Sequence, residues 1–343
     1  MATSPQEPSR IWQPGAANTL TDIDGLQIGH ADDRKANTGV SVLLFDEPAT
    51  ASVCILGQAP GTRDIALLDP ARTVETIDGL VLAGGSAYGL AAVDPVIDAL
   101  AREDRGFAVG DARVPIVPAA ILFDLLNGGA KPTDLTALYR ALGSKALKNL
   151  RSHTSIGRVG AGFGATTAIG QGGLGSASAV LGNDAPKELV GFCVAALVAA
   201  NPVGSPFLND GSTLRAHIFG HGEELKSDWR SDTNLAPSSH SSVNAIAMKR
   251  LTEPGQNTTI GCIVTNAPLD KRACHALAVA GQDGIANAIY PAHTALDGDL
   301  VVGASVGKGA AIQNPSLLAF LQAIATATMA RAIARGILAA PVQ

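Results

Sequence analysis

The apolar runs of this chain arrive in pairs, and its helical patterns come in groups between them. Strand-like segments cover 39–45, 51–57, 79–83, 176–181, 189–199, 258–265 and 299–305, mostly Val, Ile, Leu and Ala between turn formers. Helical periodicity covers 87–101, 117–126, 135–146, 271–288 and 315–339, the last with Asn314 as N-cap and Pro315 in the first turn. Strands and helices do not alternate strictly. The order suits two mixed sheets stacked face to face with helices outside. Hydrophobic residues make up 46% and charged residues 16% of the 343, which excludes disorder and a coiled coil. Aromatics are only 4% against 38 glycines, so small side chains must fill the core and let the layers approach closely. No repeat of fixed period is present.

The net charge of −5 provides no basic stripe for phosphates, so nucleic acid is not an expected partner. Cys54, Cys193, Cys262 and Cys274 stand singly in apolar surroundings and read as buried free thiols, not as a zinc ribbon or a disulfide framework. Residues 1–15 lack the pattern of a secretory signal, and the longest apolar run, Leu189 to Ala200, is too short to span a bilayer. A soluble, cytoplasmic protein with no membrane partner is expected.

Chemistry concentrates at Gly255-Gln256-Asn257-Thr258-Thr259-Ile260-Gly261-Cys262-Ile263-Val264. A polar, turn-prone stretch ends at Asn257, and a β-branched run starts with Thr258. A cut between the two would give Thr258 both a hydroxyl nucleophile and a free α-amine to serve as its base. Before it, residues 204–256 form the most polar part of the chain, either a long surface excursion or a leader that delivers Asn257-Thr258 to the core.

Three further features converge on the same chemistry. Asn201 ends an apolar strand, where its amide can donate to an oxyanion or merely start an Asn-Pro turn. Asp297 and Asp299 flank Gly298, placed either to hold the ammonium and hydroxyl of Thr258 or to make a hairpin turn. Ala83-Gly84-Gly85-Ser86-Ala87-Tyr88-Gly89 joins a strand to a helix, where backbone N–H groups around Gly85, Ser86 and Tyr88 can face an oxyanion or substrate. It is not a nucleophile elbow, because Tyr88 stands where G-x-S-x-G needs glycine.

Together these residues resemble the L-aminopeptidase D-amidase/esterase family, which includes β-peptidyl aminopeptidases and nylon-oligomer (6-aminohexanoate) hydrolases. The resemblance spans Asn18 to Ala339. It runs through 20–30, 84–90, 114–120, Val159-Gly160-Ala161-Gly162, Asn201-Pro202-Val203-Gly204, Asn257-Thr258-Thr259-Ile260, His293-Thr294 and Asp297-Gly298-Asp299. It implies a four-layer αββα sandwich of the N-terminal-nucleophile-hydrolase type in one domain, 1–343. It further implies autocleavage into an α chain, 1–257, and a β chain, 258–343. Thr258 is then the nucleophile, Asn201 the oxyanion-side asparagine, and Asp297 and Asp299 the acidic pair. No metal or organic cofactor is implied. The substrate would be a short peptide or amide oligomer, and the assembly a homotetramer of αβ units. A threonine nucleophile with this Asp-Gly-Asp loop looks more like the nylon-oligomer enzymes than the serine aminopeptidases. Two positions depart from the family: Phe123 replaces a tyrosine, and Ile169-Gly170-Gln171 offers no counterpart to a lysine expected after Gly162.

Other classes fit only fragments of the sequence. Gly160-Ala161-Gly162-Phe163-Gly164-Ala165 matches a dinucleotide-binding G-x-G-x-x-A but lacks the acidic residue that ribose binding needs. His217 and His221 are spaced as metal ligands on a helix, yet Gly220 and Gly222 break one. A non-catalytic relative that keeps the fold as an interaction shell is the remaining alternative.

Overall fold

Residues 11–225, 247–249 and 257–340 are described by a computed structural model. In the first half of the chain the strands are β1 (Trp12–Gln13), β2 (Leu26–Asp33), β3 (Thr38–Ile55), β4 (Gly61–Arg63), β5 (Thr76–Ala83), β6 (Phe107–Val109), β7 (Ala112–Val114) and β8 (Ala119–Ile121). The second half adds β9 (Gly173–Leu181), β10 (Cys193–Asn201), β11 (Thr258–Thr265) and β12 (Leu300–Ser305). The α-helices are α1 (Asp94–Arg102), α2 (Leu135–Lys148), α3 (Lys271–Ala288) and α4 (Pro315–Ala339).

The strands form one hydrogen-bonded path, β1-β9-β10-β11-β12-β3-β5-β8-β4, with β2 also on β3; β6 and β7 make a separate hairpin. β3 joins the two layers. Its first part pairs with β2 and β5, its last part pairs with β12, and its ladder to β5 shifts register between Leu44 and Ala49. At that break Asp46, Glu47 and Pro48 are exposed, and Pro48 has no N–H to give a ladder.

Strand alternation then sorts the side chains into three apolar layers. On β10, Val194, Ala196, Val198 and Ala200 face α3 and α4, while Cys193, Ala195, Leu197 and Ala199 face the second sheet. On β3, Val40, Val42 and Leu44 face α1 and α2, while Leu43 and Phe45 point to the layer between the sheets. Helix, sheet, sheet, helix is therefore the order, a four-layer αββα sandwich. Glycine makes the close approaches possible. A β-carbon on Gly175 would stand 1.8 Å from the Ala332 carbonyl oxygen of α4, and one on Gly303 would stand 2.1 Å from the Cys274 carbonyl oxygen of α3.

The segments read as two strands at 39–45 and 51–57 are the single strand β3, and the helix read from 87 is a 3-10 turn, Ser86–Val93, followed by α1. The run 117–126, read as a helix, contains β8 instead. Residues 116–122 are buried throughout, and β8 is clasped between β5 and β4. A short apolar run buried on all sides carries no period that separates strand from helix. All four cysteines are free and buried. The segment read as a polar linker from 204 is packed as far as 225, with Phe207, Leu214, Ala216 and Leu225 in the core; residues 226–246 and 250–256 of it lie outside the described residues.

Candidate active site

Three strand ends meet where the chemistry was expected. β11 starts at Thr258 and runs parallel to β12, so the Asp297-Gly298-Asp299 turn that leads into β12 lies beside Asn257-Thr258. β10 runs antiparallel to β11 and ends there, which makes Asn201 the cross-strand partner of Thr258. Thr258 belongs in a strand because its branched side chain favours the extended backbone and the residues that follow are apolar. Asn257, Thr258 and Asn201 are all buried.

The Asn257 carbonyl oxygen is the focus. It accepts the Gly298 N–H at 3.0 Å and also the hydroxyl of Thr258. The carbonyl that a cut would attack is therefore polarised by a backbone donor, with the candidate nucleophile against it. Both polar atoms of the Asn257 side-chain amide and the Thr259 hydroxyl are buried with no partner among the described residues.

The two carboxylates shape the wall of this site. Asp299 accepts the Thr259 N–H at 2.6 Å with one oxygen, and the His293 N–H at 3.0 Å and Nδ1 at 2.9 Å with the other. Asp297 accepts Val203 N–H at 3.1 Å, Thr294 N–H at 3.0 Å and the Thr294 hydroxyl at 2.6 Å. These bonds tie the loops around Thr258 together. Burial and the neighbouring Asp299 charge raise the pKa of Asp297, against the hydrogen bonds from Thr294 and Val203. Burial would lower that of His293, but the bond and charge of Asp299 outweigh it and the net shift is upward.

Asn201 donates from Nδ2 to the Phe123 carbonyl oxygen at 3.0 Å, and its Oδ1 accepts the Thr166 N–H at 3.0 Å. The Phe123 position, where the side chain cannot donate, thus takes part through its backbone. Lys249 also reaches Asn201, with Nζ 3.1 Å from Oδ1. Burial, only partly opposed by Asp297, brings the Lys249 pKa down to about 7. The loop after Gly162 holds no lysine, but one arrives here from the far end of the polar segment. An apolar island, Ala245-Ile246-Ala247-Met248, just before Lys249 is the sequence signal that could have found it. Gly298 as a backbone donor and His293 as the partner of Asp299 were likewise unassigned.

The N–H cradle expected at Gly85 and Ser86 does not hold. Gly84 N–H goes to Gly39 O at 2.9 Å, Gly85 N–H to Asp124 Oδ1 at 2.8 Å and Ser86 N–H to Leu122 O at 3.0 Å. Asp124 is buried and anchored by the Thr38 hydroxyl at 2.5 Å, so this turn is held by its own donors. Tyr88 is exposed on the 3-10 turn. The G-x-G-x-x-A stretch packs as close backbone, since a β-carbon on Gly162 would lie 2.0 Å from Leu174 N. His217 bonds the Leu214 carbonyl at 2.8 Å, and His221 packs at a tilt against Trp12, with ring centroids 5.6 Å apart and planes at 52°. No group of three or more metal-ligating side chains is assembled among the described residues.

A beta-aminopeptidase from Burkholderia sp. superposes with a TM-score of 0.68 over 96% of this chain and 88% of that one, at 21% identity, which establishes the shared fold. An uncharacterized aminopeptidase of Mycobacterium leprae is 37% identical over 309 residues, 87% of this chain and 81% of its own length. A 6-aminohexanoate-oligomer endohydrolase of Paenarthrobacter ureafaciens is 28% identical over 291 residues, 81% of this chain and 72% of its own length. The model of peptidase family S58 matches residues 18–342. With nearly the whole chain matched and the fold shared, the protein belongs to peptidase family S58.

Proposed function

We propose that this protein is a self-processing amide hydrolase in which Thr258, freed by cleavage after Asn257, is the nucleophile. The observation that carries the reading is the Asn257 carbonyl, bonded at once by the Gly298 N–H and the Thr258 hydroxyl at the buried start of β11. After the cut, the α-amine of Thr258 takes the proton from Oγ as Oγ attacks a substrate carbonyl. The Gly298 N–H, which lies against the scissile carbonyl in the uncut chain, is the donor for the tetrahedral oxyanion, with the Asn201 amide as second donor. Collapse expels the amine product and leaves an ester on Thr258, which water hydrolyses. Asp297, Asp299 and His293 fix the loops that frame these groups.

The substrate class follows the relatives. The Mycobacterium leprae protein named an aminopeptidase shares more identity than the endohydrolase of amide oligomers. Short peptides cleaved at the N-terminus are therefore the first reading. The threonine nucleophile with its Asp-Gly-Asp turn favours linear amide oligomers as the second. Assembly of αβ units into a homo-oligomer belongs to the same proposal and is read by size-exclusion chromatography with light scattering.

Intact mass and N-terminal sequencing of the wild type and Thr258→Ala test the reading. Two chains are expected from the wild type, the smaller beginning Thr-Thr-Ile, and one uncut chain from Thr258→Ala. An uncut wild type that also fails to release amines from peptides and 6-aminohexanoate oligomers would leave the inert-shell alternative in its place.

A further inference from the structure

In the uncut chain Thr258 has no free amine, so its hydroxyl needs another proton acceptor if the chain is to cut itself. Among the described residues, Lys249 brings an amine into the hydrogen-bond network of this site. Its Nζ is 3.1 Å from Asn201 Oδ1 and 3.4 Å from the Asn201 carbonyl oxygen, and its backbone N–H donates to Val203 O at 2.9 Å. Asn201 pairs across the sheet with Thr258. Asp297, whose charge acts on the Lys249 amine, is the bridge partner of Asn257. The amine is thus held between the neighbours of both residues that flank the scissile bond. A fully charged lysine in this place would keep its proton, but burial brings the pKa down to about 7.

We propose that Lys249 is the proton acceptor of self-processing, serving the precursor as the α-amine of Thr258 serves the mature enzyme. The proposal rests on Thr258 being the nucleophile. Neutral Nζ takes the Oγ proton, directly or through one water, as Oγ bonds to the Asn257 carbonyl carbon. The oxyanion is held by the Gly298 N–H. The carbon–nitrogen bond then breaks, and the proton on Nζ passes to the departing nitrogen of Thr258. The result is an ester between Asn257 and Thr258 Oγ and a free α-amine. Water hydrolyses the ester, leaving a carboxylate on Asn257 and restoring the hydroxyl. Lys249 stays on the chain that ends at Asn257, so its task ends with the cut.

The test follows cleavage in fresh precursor, made by brief cell-free translation, quenched to about pH 5 and then shifted to a series of values up to about pH 9. Wild type should process faster as pH rises, levelling off above a midpoint near that of Lys249. Lys249→Met should be slower by about 100-fold or more. Among the described residues, Asp297 acts on the amine by charge and the Asp299–His293 pair lies beside Asp297, so the profile is repeated in Lys249→Met. There the limb near neutrality should be gone. Lys249→Ala should regain processing when n-propylamine is added, a rescue that a structural role does not give. Circular dichroism checks that the variants fold. If Lys249→Met does not, Lys249→Arg, whose charge is not lost in this range, takes its place and should lack the same limb. A flat wild-type profile overturns the proposal. Lys249→Met that cuts at the wild-type rate while Thr258→Ala stays whole also overturns it and leaves the nucleophile assignment standing. A wild type that stays whole at every pH overturns both.

Discussion

Gly298 has one atom that the chemistry uses and no room for another. Its N–H lies 3.0 Å from the Asn257 carbonyl oxygen, while a β-carbon would stand 2.5 Å from the Ala59 carbonyl oxygen and 2.8 Å from Thr258 Oγ. Ala59 cannot easily yield, because its own N–H is bonded to Asp297 O at 3.0 Å. Gly298→Ala must therefore displace the turn and its donor. Processing and peptide turnover are expected to fall about 10²–10³-fold, the usual cost of an oxyanion donor. A rate of appearance of the 258–343 chain equal to that of wild type would remove Gly298 N–H from the mechanism. His293 makes a second prediction, through pH. Its pKa in the fold is raised above the ordinary 6.5 by Asp299, so its ion pair stabilises the protein fully below 6.5. That stabilisation fades as pH rises through the raised value. His293→Gln should then lower the thermal midpoint more at low pH than at high pH, and a gap between the two proteins that does not change with pH would contradict the pairing.

α4 and the segment that ends at residue 225 hold each other through one buried cation. Arg331 is 0% exposed; it bonds both Glu224 oxygens at 2.5 and 2.8 Å, Ser178 O at 2.8 Å and Asn18 Oδ1 at 3.0 Å, and lies 4.6 Å from the centre of the Trp12 ring. Glu224→Ala strands that charge and should cost about 3 kcal/mol or more in urea unfolding. Arg331→Met added to it should recover most of the loss, because the remaining groups are apolar or can bond each other. A Glu224→Ala protein as stable as wild type would show the pair to be redundant. α4, long and apolar enough to cross a membrane by length and composition, is a core helix here, packed on β9, β10 and α3. Its limits were legible because Asn314 caps it, as Asp270 caps α3, with side chains that accept the Ser316 and Ala273 N–H groups. β2 was not legible, since Gly29 and the charged end Asp32-Asp33 interrupt its alternation. The site divided in the same way. Thr258, Asn201 and the two aspartates stand at strand ends that local pattern marks. Lys249 and the Gly298 N–H depend on where distant segments meet, which no local pattern records.

The proposed cut would fall inside the sheet and not between lobes. Residues 258–340 supply β11, β12, α3 and α4. β11 lies between β10 and β12, β12 pairs with β3, and α4 packs on β9 and β10. Every element of the smaller chain is thus hydrogen-bonded to or packed on the larger one, and neither could keep its half of the core alone. The mature chains should co-elute in native buffer and separate only when the whole molecule unfolds. Unfolding then turns a one-chain process into a two-chain one. Recovery of wild type from denaturant should fall with dilution, as association requires, whereas uncut Thr258→Ala should refold with a yield independent of concentration. The measurement is refolded fraction by circular dichroism across a dilution series of both proteins. If cleaved wild type refolds equally well at every concentration, the halves fold independently, and the interleaved sheet is not what holds them together.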